Sequence, residues 1–175
     1  MTNTGRYIRA VLWDMDGTLM DSQPLWDEFF RRCCQERGGT VTPEQVAGIA
    51  GASIARTCEL IAETGATASP EDPATAEVFA KISAQVEAAV RADPPILPGA
   101  RNITATLNEV GLAQVIVTQS PRPIVEAVAH ALGDVFVELV TGDDGLPGKP
   151  TPAPYAAAIE LLGLSPEECV VVEDS

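Results

Sequence analysis

The stretch IRAVLWDMDGTL, residues 8–19, begins as a short apolar, β-branched run and stops abruptly at an acid. Residues 8–13 read as a buried strand. In extended backbone, residues two apart project to the same side, so Asp14 and Asp16 can share one site at the end of that strand. Gly17 lets the chain leave tightly, and Thr18 offers a hydroxyl to the turn. Two close carboxylates repel unless a cation bridges them or one of them holds a proton. Either arrangement suits catalysis. An Asp-Gly turn after a strand is also common, so the weight of the motif depends on the rest of the chain.

The segment that follows reads as helical throughout. Ser22 can cap a helix over 23–37 that places Leu25, Trp26, Phe29, Phe30 and Cys33 on one face and stops at Gly38-Gly39. Thr42-Pro43-Glu44-Gln45 is a capping box with proline at the first helical position. Ser53 opens a further helix with Ile54, Cys58 and Ile61 spaced for one face, and a longer one runs from about Asp72 to Ala92 through Val78, Ile82, Val86 and Val90. DPPILPG (93–99) ends the run.

Beyond it the pattern alternates: helix at 100–110, strand at 113–118, helix at 122–132, strand at 135–140, loop at 141–150, helix at 152–162, strand at 169–173. Alternation of this kind predicts a parallel sheet covered on both faces. The expected fold is α/β: a doubly wound, Rossmann-like parallel-sheet core made of 1–21 and 97–175, with an α-helical cap, 22–96, inserted after the first strand. Ligands in such sheets bind beyond the carboxyl ends of the strands.

Three of those ends carry polar groups, and a loop adds a fourth set. VIVTQS (115–120) brings Thr118 and Ser120 to a strand end just before a helix, where free N–H groups and a hydroxyl make a phosphate site; equally, either hydroxyl can simply cap the helix. GKPTPAPY (148–155) contains Lys149, one of two lysines in the chain, held between Gly and Pro where its side chain can be aimed; a solvated loop lysine is the plainer alternative. VVVEDS (170–175) ends in Glu173 and Asp174, oxygen ligands of the kind Mg²⁺ takes, or a polar loop.

Whole-chain properties bound the function. The 175 residues suffice for a real core, and 46% hydrophobic with 21% charged residues is a globular composition. A formal charge of −14 argues against nucleic acid, whose phosphates require Lys and Arg. An anionic substrate would need a metal cation and a few placed basic groups to be held. No stretch is long and apolar enough for a membrane, and residues 1–10 lack a signal-peptide core, so a cytoplasmic protein is expected. Cys33, Cys34, Cys58 and Cys169 have no metal-type spacing and are expected as reduced, partly buried thiols. His130 falls off the apolar face of its helix and is assigned no role.

Taken together, D-x-D-G-T, the strand-end Thr, G-K-P-x-P and the E-D pair, in this order, resemble the haloacid dehalogenase superfamily of phosphotransferases, and the helical insertion is similar to that family's small cap. The resemblance implies roles. Asp14 would be the nucleophile that forms an aspartyl-phosphate, and Asp16 the acid and base. Thr118, with Ser120 nearby, would bind the phosphoryl group, and Lys149 would hold Asp14 and phosphate together. Mg²⁺ would be bound by Asp14, the Asp16 carbonyl and Asp174, with Glu173 nearby or ligating. Asp16 favours phosphate over halide chemistry, since halide leaves without a proton.

Relatives resembling β-phosphoglucomutase carry a His where Trp26 stands, and DSQPLW (21–26) is similar to the D-S-E-P-L-W of bacterial sugar-phosphate phosphatases. The implied function is a Mg²⁺-dependent phosphatase of small phosphorylated metabolites, sugar phosphates first, with a phosphomutase as the alternative. Arg56, in GASIART, lies where related enzymes place a specificity loop, or else is a surface arginine. Family members continue beyond the acidic motif through a further helix and strand. The expectation is therefore a C-terminally truncated chain with VVV as an exposed edge, or else a catalytically impaired binding module.

Overall fold

The computed structural model describes residues 7–174. Strand β1 (Ala10–Trp13) is followed by four helices, α1 (Gln23–Glu36), α2 (Pro43–Ala47), α3 (Ile54–Glu63) and α4 (Pro73–Ala92). Then come α5 (Ala100–Glu109), β2 (Ala113–Val117), α6 (Arg122–Ala131), β3 (Glu138–Val140), α7 (Ala153–Leu162) and β4 (Cys169–Val172), with short 3-10 turns at Gly142–Asp144 and Pro166–Glu168. The sheet is parallel throughout and ordered β3-β2-β1-β4. This is the doubly wound α/β core with an inserted helical cap that the alternation of elements predicts. No helix among the described residues is long and apolar enough to cross a membrane.

Period-2 alternation sorts the strand side chains into two layers. Leu12, Val115 and Val117 pack with Val140 and Ala158 under α7. Val11, Trp13 and Ile116 face the opposite way, toward Ala100 of α5 and Ile124, Val125 and Val128 of α6. Each such side chain taken fully from water contributes roughly 1.5–3 kcal/mol. One polar residue shares that second layer, Gln114, and both its polar atoms are paired: it accepts from the Trp13 indole at 3.1 Å and donates to the Thr104 carbonyl at 2.8 Å. Buried amides are tolerated when satisfied in this way.

The helical insertion packs Phe30, Cys33 and Cys34 of α1, Leu60 and Ile61 of α3, and Val78, Ile82 and Val86 of α4 into an apolar centre continuous with the layer under α5 and α6. Both neighbouring cysteines are buried, since α1 is covered on more than one side, and burial pushes the Cys34 thiol up to about 11. The chain leaves and re-enters the core along two adjacent passages, where the Asp21 amide donates to the Pro95 carbonyl at 2.9 Å and the Leu97 amide to Leu19 at 3.0 Å.

The structure differs from the sequence expectation in four places. Strand β3 is shorter than 135–140: Val137 is 57% exposed, and only Glu138–Val140 join the ladder. The buried face of α3 is Thr57, Leu60 and Ile61, with Cys58 only half-buried. Ser22 occupies the cap position of α1, but its backbone is already helical and its hydroxyl makes no cap bond. Neither Thr118 nor Ser120 caps α6, whose cap position is Pro121. Among the described residues β4 is an edge strand, with Val170 and Val171 40% and 46% exposed.

Candidate active site

Strand order reverses direction about β1, with β2 on one side and β4 on the other, and the carboxyl ends of these three strands meet at one point. A cavity of about 610 Å³ opens there between sheet and cap. Its floor holds Asp14, Asp16, Gly17, Thr118, Gln119, Ser120, Lys149, Glu173 and Asp174. Seven of the eight residues expected at the site from sequence thus converge. The eighth, Arg56, does not: its guanidinium lies 2.7 Å from Glu59 and 2.8 Å from Glu63 on the exposed side of α3, outside the lining. A helical spacing of three and seven residues places those acids beside it and satisfies it locally.

Asp14 is only 6% exposed, and its amide donates to the Val172 carbonyl, which ties it to β4. Lys149 reaches it across the chain, Nζ to Oδ1 at 2.5 Å, and the same Nζ is 2.7 Å from Glu173. Burial, with the nearby carboxylates of Glu173 and Asp16, pushes Asp14 above the ordinary aspartate value even against the pull of Lys149. Burial also works against the Lys149 charge, but hydrogen bonds to Asp14 and Glu173 outweigh it and hold its pKa above the usual lysine value. The lysine is a fixed cation.

Asp16 sits in a different environment. Its Oδ2 accepts from Thr118 Oγ1 at 3.0 Å and Ser120 Oγ at 2.7 Å, while Ser22 donates to Oδ1. Thr118 in turn accepts from the Ser120 amide at 3.1 Å. Hydroxyls both donate and accept, so this cage can serve the carboxyl group with or without its proton. The two acids of DMD therefore have distinct surroundings, one facing a lysine and one facing three hydroxyls.

Asp14 Oδ2 is buried without a hydrogen-bond partner. Carboxylate oxygens of Asp14, Glu173 and Asp174 all lie within 4.8 Å of one another. An orphaned buried oxygen inside an all-carboxylate cluster is costly on its own and fits a hard divalent cation. Gly17 makes room for this arrangement: a Cβ there would stand 2.2 Å from Asp174 Oδ2, and its φ of +93° already lies in the left-handed region.

Four residues that the sequence assigns no role at the site support it or its surroundings. Ser22 reads as a helix cap yet is drawn to Asp16. Tyr155 donates to Glu173 at 2.7 Å and lays its ring 5.1 Å from Lys149 Nζ, so it supports both groups from the first turn of α7. Burial above all raises the Tyr155 hydroxyl to about 12, so it stays a donor. Gln119 Nε2 donates to the Gly51 carbonyl at 2.7 Å, a direct bond between floor and cap. Arg122 braces the loop after β3 through Asp144 at 2.7 Å and through its amide to Asp143 at 2.7 Å. The position of Tyr155, six residues after Lys149 in a proline-set turn, was the one visible clue among these.

The chain aligns with known proteins over nearly its whole length. It is 30% identical over 177 residues to hexitol phosphatase B of Escherichia coli K12, covering 99% of this chain and 78% of that protein. Hexitol phosphatase A of the same organism is 33% identical over 168 residues, covering 95% and 74%. The fold superposes on β-phosphoglucomutase from Clostridium difficile with a TM-score of 0.80 at 17% identity, covering 96% of this chain and 77% of that one. With a haloacid dehalogenase-like hydrolase family model matching residues 8–175, and with the motif residues of the sequence gathered around one cavity, the chain belongs to the haloacid dehalogenase-like hydrolases.

Proposed function

We propose that this hydrolase is a phosphatase of small phosphorylated metabolites, sugar or polyol phosphates first, working through an aspartyl-phosphate on Asp14. The observation that carries the reading is the divided environment of the two acids. Asp14 is buried, tied to a fixed lysine and left with one unpartnered oxygen. Asp16, two residues on, is caged by hydroxyls that accommodate a proton. The hexitol phosphatases it resembles support the choice of substrate.

In this reading an Asp14 oxygen attacks phosphorus in line, and the bond from phosphorus to the ester oxygen breaks. Asp16 delivers its proton to that departing oxygen, releasing the alcohol. Asp16 then takes a proton from water as the water attacks the phosphoryl group, which frees inorganic phosphate and restores the Asp14 carboxylate. Lys149, held by Glu173 and Tyr155, keeps Asp14 in place and offers positive charge to the phosphate oxygens. Thr118 and Ser120 hold Asp16 in position, and their hydroxyls can turn to phosphate as it arrives. Asp14 and Asp174, with Glu173 beside them, would hold Mg²⁺, which when bound offsets the carboxylate repulsion and the charge of the ester. The division into a core of 1–21 and 97–175 and a cap of 22–96 belongs to the same reading, the cap closing over the ester and excluding water.

Release of inorganic phosphate from a panel of sugar and polyol phosphates in the presence of Mg²⁺ tests the proposal. Phosphate release from several of them supports it. Interconversion of hexose phosphates without phosphate release would point to a mutase instead.

A further inference from the structure

The two halves of the cavity differ in charge. Lys149 is the sole cation among the described residues that line it, and it already serves Asp14 and Glu173. Five carboxylates face the same space: Asp14, Asp16, Asp21, Glu173 and Asp174. The cap side is neutral and largely apolar, built on Trp26, Ile49, Ile54 and Phe79, with Gln23 and Thr57 as polar points. Asp21, on the passage from the core into the cap, is the charged residue that borders it, and it is acidic. Arg56 is two residues from Ile54 on α3 but is engaged with Glu59 and Glu63 outside the lining. The side chain that does face the cavity from the start of α3 is Ile54.

From this distribution, and resting on the phosphatase reading, we infer that the enzyme is selective for monophosphate esters of uncharged alcohols. It discriminates against any substrate that carries a second anionic group, and Ile54 sets that charge rule. The reacting phosphate is the single anionic group the floor can compensate. A second phosphate or a carboxylate at the far end of the substrate would leave water for an apolar wall and the Asp21 carboxylate, with no cation to pair with it, and burying an unpaired charge is heavily penalised. The net charge of −14 adds long-range repulsion for every additional negative charge. A neutral carbon chain or ring meets the opposite conditions. Its C–H surface can lie against Trp26 and Phe79, and its hydroxyls can reach Asp21, Gln23 and Thr57. The cavity volume of about 610 Å³ falls in the range of ordinary small-metabolite pockets.

The test compares kcat/KM of the full chain with Mg²⁺ for four esters: a hexitol monophosphate, p-nitrophenyl phosphate, a sugar bisphosphate and 2-phosphoglycolate. The two esters of neutral alcohols should exceed the two with a second anionic group by about a hundredfold, as expected when a buried charge goes unpaired. The Ile54→Arg substitution should narrow that ratio at least about tenfold by raising kcat/KM for the charged pair. Equal or better turnover of the charged esters by the unaltered protein would overturn the inference and leave the phosphatase reading standing. So would an unchanged ratio in a folded Ile54→Arg protein, and the unaltered protein's own ratio decides the matter if that variant does not fold. Failure to hydrolyse any of the four would instead remove the phosphatase reading on which the inference rests.

Discussion

The floor and the roof of the cavity are built by opposite rules. On the floor the charged and hydroxyl groups hold one another: Lys149 with Asp14, Glu173 and the Tyr155 ring, Asp16 with three hydroxyls, Thr118 with the Ser120 amide. The roof of Trp26, Ile49, Ile54 and Phe79 makes shape rather than bonds, and among the described side chains the bonds from Gln119 to Gly51 and from Ser22 to Asp16 join the cap to the floor. A dense polar network fixes geometry to the fraction of an ångström that phosphoryl transfer demands. The apolar roof, held on the core mainly by apolar packing such as that of α4 on α6, can change its fit to the organic part of a substrate without breaking that network. The contrast teaches that chemistry and selectivity are separable in this protein, and the substitutions below are aimed at the floor, at the link between floor and roof, and at a control region outside both.

The largest effect is expected from the floor. Asp16→Ala should lower kcat for alkyl phosphates by about 10²–10⁴-fold, the range of a lost general acid–base group. The loss should be smaller for p-nitrophenyl phosphate, whose leaving group departs without a proton; equal losses for both esters would argue against the acid role. Metal binding comes next. Thermal unfolding in saturating Mg²⁺ at about 100 times Kd should lie roughly 5–10 °C above that in chelator. Asp174→Asn should abolish most of that shift, and an unchanged shift would move the metal away from the acidic cluster.

The link between the halves should show a smaller, differently shaped effect. Gln119→Ala removes one hydrogen bond between floor and roof and should raise KM about fivefold while leaving kcat within a few fold, as for about 1 kcal/mol of lost ground-state binding. A loss confined to kcat would place Gln119 with the chemistry.

The smallest effect concerns the turn after β3 that carries Asp144 and is braced by Arg122 at the start of α6, outside both halves. Burial works to raise the Asp144 carboxyl, but the Thr141 amide and Arg122 outweigh it and hold it below the ordinary aspartate value. A depressed folded-state value contributes stability above the unfolded-state value, and this is lost as pH falls through the folded one. Asp144→Asn should therefore cost about 0.5–1 kcal/mol near neutrality, and the difference from the unaltered protein should vanish in acid. Urea unfolding at several pH values measures it, and a constant difference would exclude the ion pair as its source.

How far each side could be read in advance follows from the same contrast. The floor is spelled in short runs: DMDGT, VIVTQS, GKP and VVVED each join a strand end or loop to a reactive side chain, and the local pattern places the group. The capping box at Thr42 and the apolar stripe of α4 were legible for the same reason, since both are local. What escaped depends on partners far away in the chain. Ser22 has the chemistry of a helix cap, and only the fold brings Asp16 close enough to claim its hydroxyl. Gln119 finds Gly51 across 68 positions, which no spacing rule encodes. Helix α3 turns Thr57, Leu60 and Ile61 inward and leaves Ile54 to the cavity, because one helix serves two surfaces and periodicity alone does not say which is which. Arg56 reads equally as a specificity residue or a surface arginine, and Glu59 and Glu63, one and two turns on, hold it at the surface.

The central claim is that Asp14 is the group on which the whole floor converges, and one substitution tests it most directly. In Asp14→Asn the side chain keeps its size but loses the charge and nucleophilicity of its oxygens. Phosphate release from the best neutral ester, with Mg²⁺ present and folding verified by thermal unfolding, should fall to the uncatalysed background. Turnover within about tenfold of the unaltered protein, less than about 1.4 kcal/mol of lost transition-state stabilisation, would contradict the account.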